Sequence, residues 1–199
     1  MNPVRSNQTD KREAILRAAT EIFARNGYFN AKVSDIARTA NIADGTVYLY
    51  FKSKEEILHS IFDRTMADGI AQAKKQLAEC SDAREKLRTL ARLHLQRLGA
   101  DRELAIVFQV ELRGSTKFME AFSATGFAEY LNLIRETIEA GQREGIFRRE
   151  VHAMTAAKIL YGALDEMATN WILSERNYEL ATMAEAVLDL FFNGVVSQK

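Results

Sequence analysis

Only one proline, Pro3, stands in 199 residues, so nothing after it forbids helix over the rest of the chain. The strong helix formers Ala, Leu, Glu and Arg are abundant, which points to an all-α protein. Apolar residues make up 47% of the sequence and charged residues 27%, the balance of a chain that buries a real core. Pro3 itself falls outside any expected element, and residues 1–8 read as a flexible arm. From Thr9 onward Ile15, Ala18, Ala19, Ile22 and Phe23 recur at helical spacing. Thr9 or Asp10 is expected to cap this helix and Gly27 to end it.

Two short helices are expected at 33–40 and 44–51. A long one follows from Ser53, with Glu56 three residues on in a capping-box arrangement, to about Glu79. Further helices fit 82–99, 101–113, 117–143 with a break near Gly126, 152–173 and 180–193, about nine in all. Gly145 and Gly194 are plausible stops. Helix 101–113 holds Leu104-Ala105-Ile106-Val107-Phe108, which leaves no polar face and predicts burial. The last two helices carry broad apolar surface, including Leu160, Leu164, Trp171, Leu188 and Phe191. A thick core within one subunit would absorb it. The preferred reading packs these helices on those of a second copy, a homodimer through 152–173 and 180–193.

Residues 33–51, Val-Ser-Asp-Ile-Ala-Arg-Thr-Ala-Asn-Ile-Ala-Asp-Gly-Thr-Val-Tyr-Leu-Tyr-Phe, read as helix, turn, helix. Ala37 sits where two helices cross closely. Asn41, four residues on, suits a turn with positive φ. Ile42 plugs the turn, Asp44 caps the second helix, and Val47 and Tyr50 face inward. These offsets define a helix-turn-helix, so residues 1–53 are expected to form an N-terminal DNA-binding domain, followed by a helical dimerisation domain, 54–199, whose ligand-binding role is implied only by the family resemblance below. The outward set is then Gly45, Thr46, Tyr48 and Leu49, with Lys52 and Lys54 as phosphate partners and Ser34 near the backbone. Tyr48 and Tyr50 as twin core aromatics is the competing reading, accepted for Tyr50 only. Charge agrees with the DNA reading: residues 1–54 hold nine Lys/Arg and five Asp/Glu, while the whole chain is neutral.

Residues 9–62 resemble the tetracycline-repressor (TetR) family. The match rests on Gly27-Tyr28, on Val33-Ser34-Asp35-Ile36-Ala37, and on Gly45-Thr46-Val47-Tyr48-Leu49-Tyr50-Phe51 with Ser53-Lys54-Glu55. The usual turn glycine is Asn41 here. The resemblance implies an all-helical dimer with a divergent ligand-binding domain. Shorter blocks, Leu104-Ala105-Ile106-Val107, Glu111-Leu112-Arg113, Tyr130-Leu131-Asn132, Asp165-Glu166 and Trp171, are similar to the acyl-CoA-responsive repressors of fatty-acid degradation (FadR type). That similarity implies a long-chain acyl-CoA effector and no cofactor.

On this reading Leu104, Phe108, Tyr130, Ile134 and Tyr161 enclose an acyl chain, and Trp171 is counted with them. Arg113, ending a buried helix, is placed to meet a CoA phosphate or thioester. The competing reading is an internal ion pair from Arg113 to Glu111, Asp165 or Glu166. Asp165 and Glu166 need partners in an otherwise apolar helix, in the pocket or at the dimer interface. A repressor responding to another lipophile, of the drug-efflux type, is the nearest rival. A helical lipid-binding protein or enzyme without operator binding is a further one. No His pair, cysteine cluster or phosphate loop supports an enzyme or a metal site: Cys80 is alone, and His59, His94 and His152 are scattered. With no signal peptide and no apolar run long enough to span a membrane, the expected location is the cytoplasm.

Overall fold

Gly27 has φ +75°, the left-handed conformation that ends a helix, and its N–H still closes on the carbonyl of Phe23 at 3.0 Å. The helix it ends, α1, runs over Pro3–Asn26 in the computed structural model, which describes residues 3–124, 126–176 and 178–193, with side chains from Asp10 onward apart from Ser123. The expected arm and the Thr9/Asp10 cap are therefore corrected. Pro3 is the first helical residue, where its fixed φ and missing N–H cost nothing.

Two short helices follow, α2 (Val33–Thr39) and α3 (Asp44–Tyr48). Asp44 does not cap α3. It is the first residue of the helix, and Ala43 holds the cap position with no side-chain bond. The long α4 (Lys54–Leu77) starts as the sequence predicts, since Ser53 Oγ accepts the N–H of Glu56 at 3.1 Å. The Glu56 carboxylate reaches back to the N–H of Lys52 at 2.6 Å, one residue earlier than in a standard capping box. Asp82 caps α5 (Ala83–Ala100) by the same kind of bond.

The expected single helix 101–113 is three pieces: α6 (Arg102–Ile106), a π-helical turn (Val107–Glu111) and a 3₁₀ turn (Leu112–Gly114). Nor is it buried all round, because Val110 is exposed. Next come α7 (Thr116–Ser123) and α8 (Gly126–Arg143), so the break falls near Gly126, and the described residues form ten α-helices. Gly126 is required there because a methyl group would lie 2.6 Å from Met66 Cβ on α4. Gly145 ends the turn after α8 with φ +76°. Then α9 (Ala153–Leu173), a 3₁₀ turn (Leu180–Thr182) and α10 (Met183–Asn193) complete the chain. The expected stop at Gly194 lies outside the described residues.

Two cores organise these elements. One lies under the head: Ile15, Phe23, Ile36, Val47 and Phe51, joined by Ile57, Leu58, Ile61 and Phe62 from the first half of α4. Val107, Leu112, Phe118 and Phe122 enter it from the body. The other is built from the rest of α4 with α5, α8, α9 and α10. Most of the apolar surface of the last two helices belongs to this second core. Leu160, Leu164 and Leu188 are each at most 1% exposed within one subunit.

Gly141 lies in the last turn of α8, where a methyl group would run into the ring of Phe147 and lie 2.8 Å from Ala83 Cβ. Gly141→Ala is expected to destabilise the fold by about 1–3 kcal/mol through overpacking, despite alanine's better helix propensity. Urea unfolding followed by circular dichroism checks this.

Candidate DNA interface and ligand pocket

The helix-turn-helix depends on its tightest point. Ala37 is fully buried between α2 and its neighbours, and Asn41 takes φ +54°, as the turn requires. The N–H of Ile42 then closes on the carbonyl of Ala37 at 3.0 Å. With the turn fixed, Val47 points into the core and Tyr50 lies half-buried behind it. Tyr48 and Leu49 are left 57% and 81% exposed, beside exposed Gly45 and half-buried Thr46. Ser34 is exposed in the first turn of α2, and Lys52 is exposed after α3. Sequence reasoning passed over Lys32 and Arg38, which flank Ser34 and are also exposed. Arg38 is held by Asp35 at 2.6 Å.

Lys54 stands apart from this set. Its ammonium donates to the carbonyls of Tyr28 at 2.6 Å, Ala31 at 2.9 Å and Phe29 at 3.2 Å, and lies 4.5 Å from the centre of the Tyr28 ring. Burial holds its pKa below the ordinary lysine value. The residue ties the loop after α1 to the start of α4, and its donors are committed there rather than to a phosphate.

A cavity lies between α4, α5, α8 and α9, closed from above by α6 and the π turn. The room it leaves for a ligand is small, about 70 Å³, below the usual range of small-molecule sites, so a bulky ligand must push its wall residues apart. Leu104, Phe108, Tyr130, Tyr161 and Asp165 line it as expected. Ile134 and Trp171 do not. Ile134 is sealed in the second core, and Trp171 donates its indole N–H to the carbonyl of Tyr178 at 3.0 Å, with Arg102 5.0 Å over its ring. The sequence reading missed Met66, His94, Arg97, Gln109, Phe122 and Phe127, which also form the wall. The wider π turn explains Gln109: consecutive residues Phe108 and Gln109 both face the cavity.

One wall is polar. Asp165 is buried and accepts from Gln109 Nε2 at 2.7 Å, from Tyr161 Oη at 3.2 Å, and from Arg113. Thr169 Oγ1 donates to Gln109 Oε1 at 2.9 Å. Arg113 is thus held in an internal ion pair, the second of the two readings of this residue. Glu166 is exposed and bonded to Asn170 on the outer face of α9. Burial raises the Tyr161 hydroxyl well above the ordinary phenol value, and the Asp165 carboxylate adds to the shift. Among the described residues no cluster of three His, Cys, Asp or Glu side chains is placed to hold a metal, and no helix is long and apolar enough to cross a membrane.

A helix-turn-helix head over a helical body with an internal apolar pocket is the build of a DNA-binding regulator. Residues 15–61 match the family model for bacterial regulatory proteins of the tetR family, and residues 62–194 match that for the C-terminal region of YsiA-like proteins. The chain belongs to the TetR family of transcriptional regulators. It is 35% identical over 181 residues to the fatty acid metabolism regulator protein of Bacillus subtilis (strain 168), covering 91% of this chain and 93% of that one. The fatty acid degradation regulator FadR from Bacillus halodurans superposes with a TM-score of 0.90 at 37% identity, over 94% of this chain and 97% of that one. FadR from Bacillus subtilis, solved in complex with stearoyl-CoA, superposes with a TM-score of 0.88 at 34% identity, over 92% and 99%.

His94, on α5, has its pKa lowered to about 4 by burial, an effect that the nearby Asp165 only partly offsets. The folded state therefore resists protonating this ring, while the unfolded chain protonates it near pH 6.5. Its share of stability is full above that pH and falls between about pH 6.5 and 4. The loss is up to about 3 kcal/mol. In His94→Leu this portion of the pH dependence should vanish, measured by denaturant unfolding at pH 7.5 and 5.

Proposed function

We propose that the protein is a repressor that holds a palindromic operator as a homodimer and leaves it when long-chain acyl-CoA fills the pocket, so controlling fatty-acid degradation genes in the cytoplasm. Residues 1–53 serve as the DNA-reading unit and 54–199 as the ligand and dimer unit. The observation that carries this is the position of Phe108. Its ring lines the cavity and also meets the ring of Phe62, on α4 beneath the head, at 4.9 Å. A chain entering the cavity must displace Phe108, and Phe108 leans on the helix that carries the head. The apolar lining suits an alkyl chain, and a related structure contains stearoyl-CoA. Twelve buried methylenes supply roughly 9 kcal/mol before ordering costs.

On the DNA side, Gly45, Thr46, Tyr48 and Leu49 read base edges, while Ser34, Lys32, Arg38 and Lys52 meet phosphates. Two such heads address half-sites about 34–36 Å apart, or a multiple of that.

For the dimer, the inward stripes of α9 and α10 are already used within one subunit. What remains is the outer face: Ile159, 60% exposed, with Gly162, Glu166 and Leu173 on α9, and Leu190, 54% exposed, on α10. A methyl group on Gly162 would touch nothing in its own subunit. A glycine that weakens an exposed helix without packing at home fits a close approach by the partner's helix.

The test of the function is operator affinity by fluorescence anisotropy, with hexadecanoyl-CoA, free CoA and detergent compared. Hexadecanoyl-CoA should release the DNA at micromolar levels or below and free CoA should not. Tyr48→Ala should cost roughly 1–3 kcal/mol on the operator and little on random DNA. Equal release by detergent, or none by any chain length, points instead to a repressor of another lipophile.

The dimer has its own test. Gly162→Leu should give a folded monomer in sedimentation, with unfolding stability at least that of the wild-type subunit. A dimer with full operator affinity would move the interface elsewhere.

A further inference from the structure

The cavity wall contains two polar atoms that an alkyl chain has no use for. Tyr130 is buried, and its hydroxyl finds no hydrogen-bond partner among the described residues. Beside it the His94 ring stacks at 5.8 Å. One edge of His94 faces the cavity, while its Nε2 is shielded from solvent and likewise unpartnered. Each buried, unsatisfied polar atom costs free energy that a phenylalanine or leucine at the same place would avoid. A pocket shaped for hydrocarbon alone gains nothing from them.

We propose that Tyr130 and His94 form a hydrogen-bonding niche for the neutral carbonyl oxygen of an acyl thioester, and so distinguish an activated acyl group from a free fatty acid. The inference rests on the acyl-CoA reading of the pocket and adds how the acyl group is recognised. The chemistry of the niche sets the choice. A phenol donates one hydrogen bond to a carbonyl oxygen, and a neutral imidazole can donate a second. Neither brings positive charge, since burial keeps His94 neutral at physiological pH. The Asp165 carboxylate in the same wall acts on His94 and on Tyr161, whose ring lies 6.3 Å from that of Tyr130. Of the two cations nearby, Arg113 is already paired with Asp165, and Arg97, in the wall, spends its donors on the Gln72 side chain at 3.1 Å and the Thr65 carbonyl at 3.0 Å. Neutral donors next to a fixed negative charge suit a carbonyl and oppose a fatty-acid carboxylate. A site built to hydrogen-bond one ligand oxygen also rejects the analogue that lacks it.

The test compares three ligands on the full-length protein at pH 7.5: hexadecanoyl-CoA, its thioether analogue S-hexadecyl-CoA, which has no carbonyl, and hexadecanoate. Binding is read by calorimetry on the wild type and on Tyr130→Phe, which keeps the ring and removes only the hydroxyl. The wild type should prefer the thioester over the thioether by at least roughly 2- to 10-fold, the value of one hydrogen bond. Hexadecanoate should bind more weakly than either. Tyr130→Phe should lower thioester affinity toward that of the thioether by roughly 2- to 10-fold, leave the thioether unchanged, and keep operator affinity intact. Equal wild-type affinity for thioester and thioether would overturn the proposal. So would an equal loss for both in Tyr130→Phe, because the hydroxyl would then only shape the wall. Hexadecanoate binding as tightly as the thioester would overturn it too. If neither CoA compound binds the wild type, the acyl-CoA reading fails first and this inference with it.

Discussion

The π turn at Val107–Glu111 is the constraint on which the arrangement of head and body depends. Within five residues it sends Val107 into the core beneath the head and Phe108 and Gln109 into the cavity. Glu111 goes to the loop after α1, where its carboxylate accepts the N–H of Tyr28 at 2.6 Å. A π turn takes more residues per turn than an α-helix, so the consecutive residues Phe108 and Gln109 lie closer in direction and share the cavity wall. The contacts that follow reinforce the joint. Phe118 meets Tyr28 edge-on at 4.9 Å and lies near Phe29 and His59, and Lys117 pairs with Glu55 at 2.7 Å. Head and body therefore share a core, and residues 107–122 form a continuous path between the pocket wall and the base of the head.

The polar wall stabilises that path at a cost that its own geometry offsets. A buried carboxylate such as Asp165 is expensive unless it is paired and fully hydrogen-bonded. Gln109, Tyr161 and Arg113 all donate to it, and Gln109 is fixed in turn by Thr169. The network clasps the π turn onto α9 from the far side, while Phe62 and Phe122 hold Phe108 from the near side at ring separations of 4.9 and 5.9 Å. Removing Asp165 would release Gln109 of the π turn and Arg113 of the 3₁₀ turn together, so its effect should not equal the sum of its pairwise bonds.

Much of this was legible in the sequence where local chemistry decides local structure. Asn41 announces a positive φ, Ser53 with Glu56 announces a helix start, and Val47 against Tyr48 separates inside from outside. What escaped was set by distance in the chain. Lys54 reads as a surface cation, but three carbonyls more than twenty residues earlier capture it. Leu188 reads as spare apolar surface, yet α5 and α9 cover it within one subunit. Hydrophobic periodicity tells that a residue is buried and not by which chain, so the subunit core and the dimer face were merged. The π turn has no sequence signature in an apolar run such as Leu104–Phe108, and its residues were read as plain helix. His94 looked like one of three scattered histidines because its neighbours, Tyr130 and Tyr161, come from other helices.

The proposed release from DNA by acyl-CoA would set an energetic requirement on the cavity. Moving a two-state equilibrium from 1:99 to 99:1 takes about 5.5 kcal/mol of difference in ligand affinity between the states. At roughly 0.8 kcal/mol per methylene, that corresponds to about seven methylenes buried in one state and not in the other. A short acyl group that fits both states equally shifts nothing, however well it binds. On the proposed mechanism a long one moves Phe108, which is continuous with the segment that grips Tyr28, Glu55 and Phe62. Chain-length selectivity then follows from the same contact that transmits the signal: the methylenes that force Phe108 aside are the ones whose burial distinguishes the two states.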